Sequence, residues 1–375
     1  MTSHLARVSA VGAGNWRTLG AEGTEDGEVG SARGRRAGLG RDRRSARSHL
    51  RGHQTPPLGN GHALVGGRDP LDGISAYERA DPVPHWHYVS YGMSDLYVKE
   101  SEDPVESGWG FEFTFRLARE GGGTDPPVWP ANLLQNLARY VFTSRNWFEA
   151  GHHMNINGPI AAERPDTAIR SVAFVEDPEL GTIETVHGRV RFLQVVGLTM
   201  DEYEAVQLWN TTALLETLAP AMPLFVTDVG RTTLLGDPAK AARVEAGIEE
   251  EGSSTGSLMV DGASWTQEGG TTVVRLGALQ APFIARLLRA RLSFGRDFVV
   301  LAKGSVIRFS PSQDLAVDVE DGALHIAVPD ADVARFVTAI RPRAGRAEVG
   351  PGLSIEIVPT VLRDQFGKPT GEVVG

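Results

Sequence analysis

The chain has 375 residues and a formal net charge of −10, with 41% hydrophobic and 22% charged residues. It contains no cysteine, which excludes disulfides, thiolate metal sites and thiol catalysis. No apolar run reaches the roughly 18 residues of a membrane-spanning helix, and the N-terminus lacks a secretory apolar core, so a cytoplasmic protein of two domains is expected.

The charge is unevenly spread. Residues 1–68 hold 11 Arg and five acids, a net of +6, and the remainder carries −16. An acidic body argues against nucleic-acid binding by the folded part, because phosphate contacts need a basic face. Residues 1–67 are rich in Gly, Arg, Ser and Ala without periodicity, which predicts a disordered leader.

Order is expected from residue 69. Asp69 and Pro70 open DPLDGISAYERA (69–80) with a helix-start signal. GFEFTFRL (110–117) alternates Phe111, Phe113, Phe115 and Leu117 with Glu112, Thr114 and Arg116, the pattern of a half-buried strand. WPANLLQNLARYVFTS (129–144) places Leu133, Leu137 and Tyr140 at helical spacing, with Pro130 in the first turn.

RVRFLQVVGL (189–198) is continuously apolar enough for a buried strand. Thr199 and Glu202 form a capping-box pattern ahead of a helix over 200–218. PLFVTDVG (223–230) predicts a strand, and Asp237-Pro238 start a helix that ends by Gly252. The break EEEGSSTGS (249–257) marks a domain boundary, giving domains over 68–252 and 253–362 and a flexible tail over 363–375.

Beyond the break come a strand over 271–277, a helix over 281–292, and strands DFVVLA and SVIRFS joined at Lys303-Gly304. A strand over 323–328, a helix over 330–340 with Asp330 as its cap, and a strand over 353–359 follow. Strands and helices mix without a regular βαβ rhythm, so the class is α+β, with two mixed domains.

Phosphate-loop, HExxH, GxSxG and dinucleotide-binding signatures are absent. His85 and His87, and the adjacent His152 and His153, are the histidines to weigh as metal ligands. Both pairs are read as divergent, which leaves no bound metal or other cofactor expected. The acids Glu176-Asp177 are read from spacing alone as solvated carboxylates. Eight Trp and Tyr residues between Trp86 and Trp147 fill a core or anchor an interface.

A resemblance goes further. DPLDGISAYERADPVPHWHYVSYGMSDLY (69–97) resembles the opening of the suppressor-of-fused domain. The likeness continues through GWGFEFTFRLARE (108–120), PPVWPANLLQNLARYVF (126–142), EDPELGTIETVHGRVRFLQVVGLT (176–199) and QLWN (207–210). RARLSFGRDFVV (289–300) is similar to the family's C-terminal domain, so the resemblance spans about 69–360. It implies a non-catalytic module. Animal members act as negative regulators by clamping an extended segment of Gli-type transcription factors between two domains. The positions it points to are Tyr140, His152, Glu176, Asp177 and the segment 255–262 with Leu258 and Val260.

Two departures stand out. The family has an aspartate, which receives a partner histidine, where this chain has His152, so a histidine-bearing peptide is not the expected ligand. Only residues 266–271 stand where animal members carry a long polar insertion. An Arg-, Ala- and Gly-rich, Lys-poor composition looks bacterial, and bacterial members have been proposed as immunity proteins, so a basic toxin is a second partner reading. A metal-dependent hydrolase using His85, His87, His152 or His153 with Glu176 or Asp177 is a third. No membrane partner is expected.

Overall fold

Residues 61–65, 70–121, 125–363 and 368–375 are described by a computed structural model, 61–65 by their backbone alone. The described residues up to 200, with Leu218–Thr233, form one compact unit; Asp201–Thr217 with Leu234–Gly375 form the other. They are called the N-terminal and C-terminal units below. Among the described residues no helix is long and apolar enough to cross a membrane.

The N-terminal unit is built on one eight-stranded sheet. Its strands are β1 (Gly61–Val65), β2 (Gly73–Arg79), β3 (His85–Tyr91), β4 (Glu106–Ala118), β5 (His153–Asn155), β6 (Ile169–Glu176), β7 (Thr182–Thr185) and β8 (Gly188–Thr199). The order across the sheet is β1-β2-β3-β4-β8-β6-β5, with β7 paired to β8. Helix α1 (Trp129–Ser144) buries Leu133, Leu134, Leu137 and Val141, as its spacing predicts. Phe113, Phe148 and Phe174 form an aromatic core, the last two stacked with ring centroids 4.2 Å apart.

Several expectations change here. Residues 69–80 hold β2, not a helix: Asp-Pro opens a turn, and pairing with β3 on one side and β1 on the other overrides the start signal. Most of the predicted leader lies outside the described residues, and 61–65 pair with β2. The helix over 200–218 breaks into α2 (Met200–Leu208) and α3 (Thr211–Leu218), because Asn210 caps the second by accepting from the Ala213 N–H at 3.0 Å. Residues 223–230 are not a strand. Leu224 and Phe225 both take positive φ (51° and 53°), and the Gln194 side-chain amide donates to both their carbonyls, at 2.9 and 3.2 Å.

The C-terminal unit begins with α2 and most of α3, and then α4 (Pro238–Glu251). Asp237 caps α4 as predicted, accepting from the Ala239 N–H at 2.9 Å. Its strands are β9 (Ser257–Met259), β10 (Ala263–Glu268), β11 (Thr271–Gly277), β12 (Phe298–Ala302), β13 (Ser305–Ser312), β14 (Ala316–Glu320), β15 (Ala323–Pro329), β16 (Gly345–Gly350), β17 (Leu353–Val358), β18 (Thr360–Arg363) and β19 (Pro369–Val374). They make a five-stranded sheet β14-β15-β13-β12-β9, a four-stranded sheet β10-β11-β17-β16, and a ribbon β18-β19 where the tail was expected. Helices α5 (Ala281–Leu292) and α6 (Asp330–Ala339) share one apolar core with both larger sheets, through Ile284, Leu288, Phe298, Phe309, Phe336 and Ile355. The cap of α6 is Pro329 with no side-chain bond, and Asp330 is its first residue.

Residues 266–271 close the β10-β11 hairpin on Gly269-Gly270, whose φ values of +56° and +87° suit a primed two-residue turn. The break after α4 is held differently. Gly252 has φ +67°, and a Cβ there would lie 2.4 Å from the Ala290 carbonyl. Arg291 and Arg296 both donate to the Ser253 carbonyl, at 2.7 and 3.0 Å, and Arg296 also to that of Glu251. These cations finish the helix C-terminus and fix the chain that runs into β9.

Candidate partner-binding site

The two faces of β4 carry different chemistry, as its alternation predicts, but neither is solvated. Phe111, Phe113, Phe115 and Leu117 are buried, and so are Glu112, Thr114 and Arg116, none more than 2% exposed. The polar face therefore has to be neutralised from within the unit.

Asp177 does most of this. Its carboxylate accepts from Arg116 through both oxygens, at 2.8 and 2.9 Å, and from Thr114 at 2.7 Å. The backbone N–H groups of Glu179 and Leu180 donate to it at 2.9 Å each, and His87 Nε2 at 3.1 Å. Arg116 reaches on to Glu179, which also takes Arg79, and to the Gln194 amide that holds the Leu224 turn. Burial works against ionising Asp177, but bonds from His87 and Arg116 outweigh it and hold the carboxyl well below the usual range. Burial keeps His87 neutral, so it donates through Nε2.

Glu112 anchors a second cluster. Burial pushes its carboxyl up, while five donors oppose this: the Ser90 and Ser94 hydroxyls at 2.6 Å each, and the N–H groups of Gly92, Met93 and Ser94 at 2.9–3.1 Å. Glu112 thereby shapes the turn that follows β3.

The histidines need correction. His85 and His87 do not diverge, because positions two apart on a strand share a face. Both are fully buried in β3, and a charge on His87 would act on His85. Yet Arg116 already supplies the cation beside Asp177, and among the described residues no group of three or more His, Asp or Glu is arranged to hold a metal ion.

Burial drives His85 down to about 4, and burial with neighbouring His152 does the same to His153. The ordinary value in the unfolded chain is 6.5. Below that pH the unfolded chain takes up protons that the folded chain refuses, so stability falls as pH drops from about 6.5 to 4 and is flat above about 7. Asp177 stays ionised throughout. Urea midpoints at pH 7.5 and 5.0 check this; equal midpoints would show that these rings protonate freely in the folded protein.

The candidate binding residues are placed as follows. Tyr140 is half-buried on α1, its ring 5.6 Å from Phe148 and its hydroxyl accepting from the Asn146 amide at 3.2 Å. His152 is half-buried beside β5. Glu176 is exposed at the end of β6 and accepts from Thr182. Asp177, its neighbour, is 1% exposed and not solvated. Within the N-terminal unit β5 is an edge strand of its sheet. In the C-terminal unit β9 is an edge strand of the five-stranded sheet, paired in parallel with β12. Leu258 packs against the core from β9, and Val260 is buried just beyond it. The resemblance points to Leu258 and Val260 as partner-binding positions, and strand order places β9 at a sheet edge. In the N-terminal unit Trp147, 46% exposed, donates to the Glu149 carboxylate, and periodicity alone does not single it out.

Comparison with known proteins now decides the family of residues 67–232. Residues 67–232 match the family described as Suppressor of fused protein (SUFU). These residues belong to the suppressor of fused family. The Suppressor of fused homologs of Homo sapiens and Mus musculus are each 41% identical over 208 residues, covering 51% of this chain and 42% of theirs. The chain thus spans less than half the length of these curated relatives. The crystal structure of Drosophila Suppressor of Fused has a similar fold, with a TM-score of 0.66 at 22% identity, covering 84% of this chain and 95% of that one. The match ends at 232, one residue before the N-terminal unit ends at Thr233. Both buried clusters, around Asp177 and Glu112, lie inside the suppressor of fused domain.

Proposed function

We propose that this protein is a non-catalytic module that binds an extended segment of a partner protein by strand addition, clamping it between its two domains. The positions of β5 and β9 at the ends of their sheets are the observation that carries this reading. An edge strand turns alternate N–H and C=O groups outward, and an added strand satisfies them while side-chain pockets confer specificity. Tyr140, His152 and Glu176 flank the β5 side in this reading, and Leu258 and Val260 set the β9 side. Asp177 acts as a positioning residue that fixes the end of β6 beneath them.

The net charge of −16 on residues 69–375 favours a basic partner, through steering that weakens with salt. A secreted toxin neutralised by this chain would fit that preference. A pull-down from the native organism followed by mass spectrometry tests the reading. Tyr140→Ala is expected to abolish capture of the partner and leave the melting temperature nearly unchanged. A large loss of stability would assign Tyr140 to the core, and unchanged capture would remove it from the site.

A further inference from the structure

A cavity of about 270 Å³ lies within the C-terminal unit, where three segments meet. Trp209 and Asn210 line it from the turn between α2 and α3, Glu251 and Ser254 from the end of α4, and Arg291 and Arg296 from the end of α5 and the turn after it. These residues come from three stretches that stand out in the sequence: QLWN (207–210), the break over 249–257, and RARLSFGRDFVV (289–300). Strand addition uses none of the six.

The acids around this cavity are already engaged. Glu251 accepts from the Trp209 indole at 2.8 Å and lies 3.7 Å from Arg243, and Asp297 pairs with Arg308 at 3.1 Å. The two lining arginines meet only carbonyls. Arg291 donates from Nε to the Asp297 carbonyl and from Nη1 to that of Ser253, and Arg296 donates from Nη1 to those of Glu251 and Ser253. Arg291 Nη2 and Arg296 Nε and Nη2 have no acceptor among the described residues. Asn210 spends its side-chain oxygen on the Ala213 N–H, which leaves its NH2 as a donor, and the Ser254 hydroxyl makes no bond there either. Burial, and then the charge of Arg296, push Arg291 below its ordinary value. Two cations that oppose each other without a carboxylate between them are stabilised by an anion that meets both.

We propose that this cavity binds a carboxylate, held by Arg291 and Arg296 with Ser254 and Asn210 as neutral donors. The planar guanidinium fork matches a carboxylate, and such charge-assisted bonds are about twice as strong as neutral ones. Charge selects the class. Two arginines against Glu251 leave one net positive charge, which one carboxylate neutralises. A phosphate, at about −1.5 to −2, would overshoot beside the negative end of α4. The cavity is larger than a carboxylate group alone, so it also takes the short chain of atoms that bears it: an acidic side chain of a protein, or a small organic acid. The site stands on the C-terminal unit alone and does not depend on strand addition.

The test follows the Trp209 indole N–H and the backbone N–H signals of residues 252–254 by NMR in the full chain. The probes are propionate, propionamide, inorganic phosphate, and the capped peptides acetyl-Ala-Asp-Ala-amide and acetyl-Ala-Asn-Ala-amide. Propionate or the Asp peptide should shift these signals in a saturable way, with roughly millimolar affinity for so few atoms, and the uncharged isosteres should not. Tighter binding of the Asp peptide assigns the carboxylate to a protein side chain; tighter binding of propionate assigns it to a free acid. Arg296→Gln, with folding confirmed by its melting curve, should weaken binding about 10-fold, since exposed Arg296 can be changed while Arg291 still holds the Ser253 carbonyl. No saturable shift with either carboxylate, equal shifts with the isosteres, phosphate binding tighter than both carboxylates, or unchanged affinity in Arg296→Gln would overturn the assignment. The arms on the unaltered chain decide it even if the variant does not fold.

Discussion

Asp177→Ala is expected to lower stability by about 3–5 kcal/mol, because it strands the fully buried Arg116 without its counter-ion. The substitution also removes the acceptor for Thr114, His87 and two backbone N–H groups. Asp177→Asn should fail similarly, since its amide NH2 would face donors from Arg116 and His87. Adding Arg116→Met to Asp177→Ala should cost little more, because the stranded charge is then gone and the two effects are not additive. Urea or guanidinium titrations of the single and double variants measure this. A full-strength Asp177→Ala protein that loses only partner affinity would instead make Asp177 a contact residue, the role first expected of it.

Glu112→Ala is the second large effect, also expected at about 3–5 kcal/mol, because five buried donors lose their common acceptor. Glu112→Gln separates geometry from charge. Its amide oxygen can still accept from the three N–H groups of 92–94, while its NH2 can face the Ser90 hydroxyl. It should therefore lose about 1–3 kcal/mol, less than alanine. Chemical denaturation again reads the difference. If glutamine were as harmful as alanine, the negative charge itself would hold the turn.

Both clusters show where sequence reading stops. The alternation of 110–117 gives a strand and sorts its residues into two faces, but polar residues on an alternate face ordinarily meet water. Here all three are covered: the chain around Asp177 and Glu179 folds over Thr114 and Arg116, and the turn over 92–94 closes on Glu112. Nothing in the adjacent pair Glu176-Asp177 distinguishes the exposed acid from the buried one; their opposite environments come from the last turn of chain leaving β6. The Leu224 turn is similar. Its apolar, β-branched run predicts a strand, and a single glutamine 30 residues away pulls it into another conformation.

By itself the sequence determined the long helix over 129–144, the helix over 281–292, the strands around 110–117, 189–198 and 353–358, and the family of residues 67–232. Local periodicity and capping suffice for such elements, since each is decided by neighbours a few residues apart. Only the tertiary structure decided that 69–80 pairs as a strand, that β5 and β9 end their sheets, and that Asp177 is buried. Each of these depends on which distant segment lies alongside: a ladder partner, a missing neighbour in the sheet, or an arginine 61 residues away. Burial and hydrogen bonding act across space, and the spacing of residues along the chain does not record them.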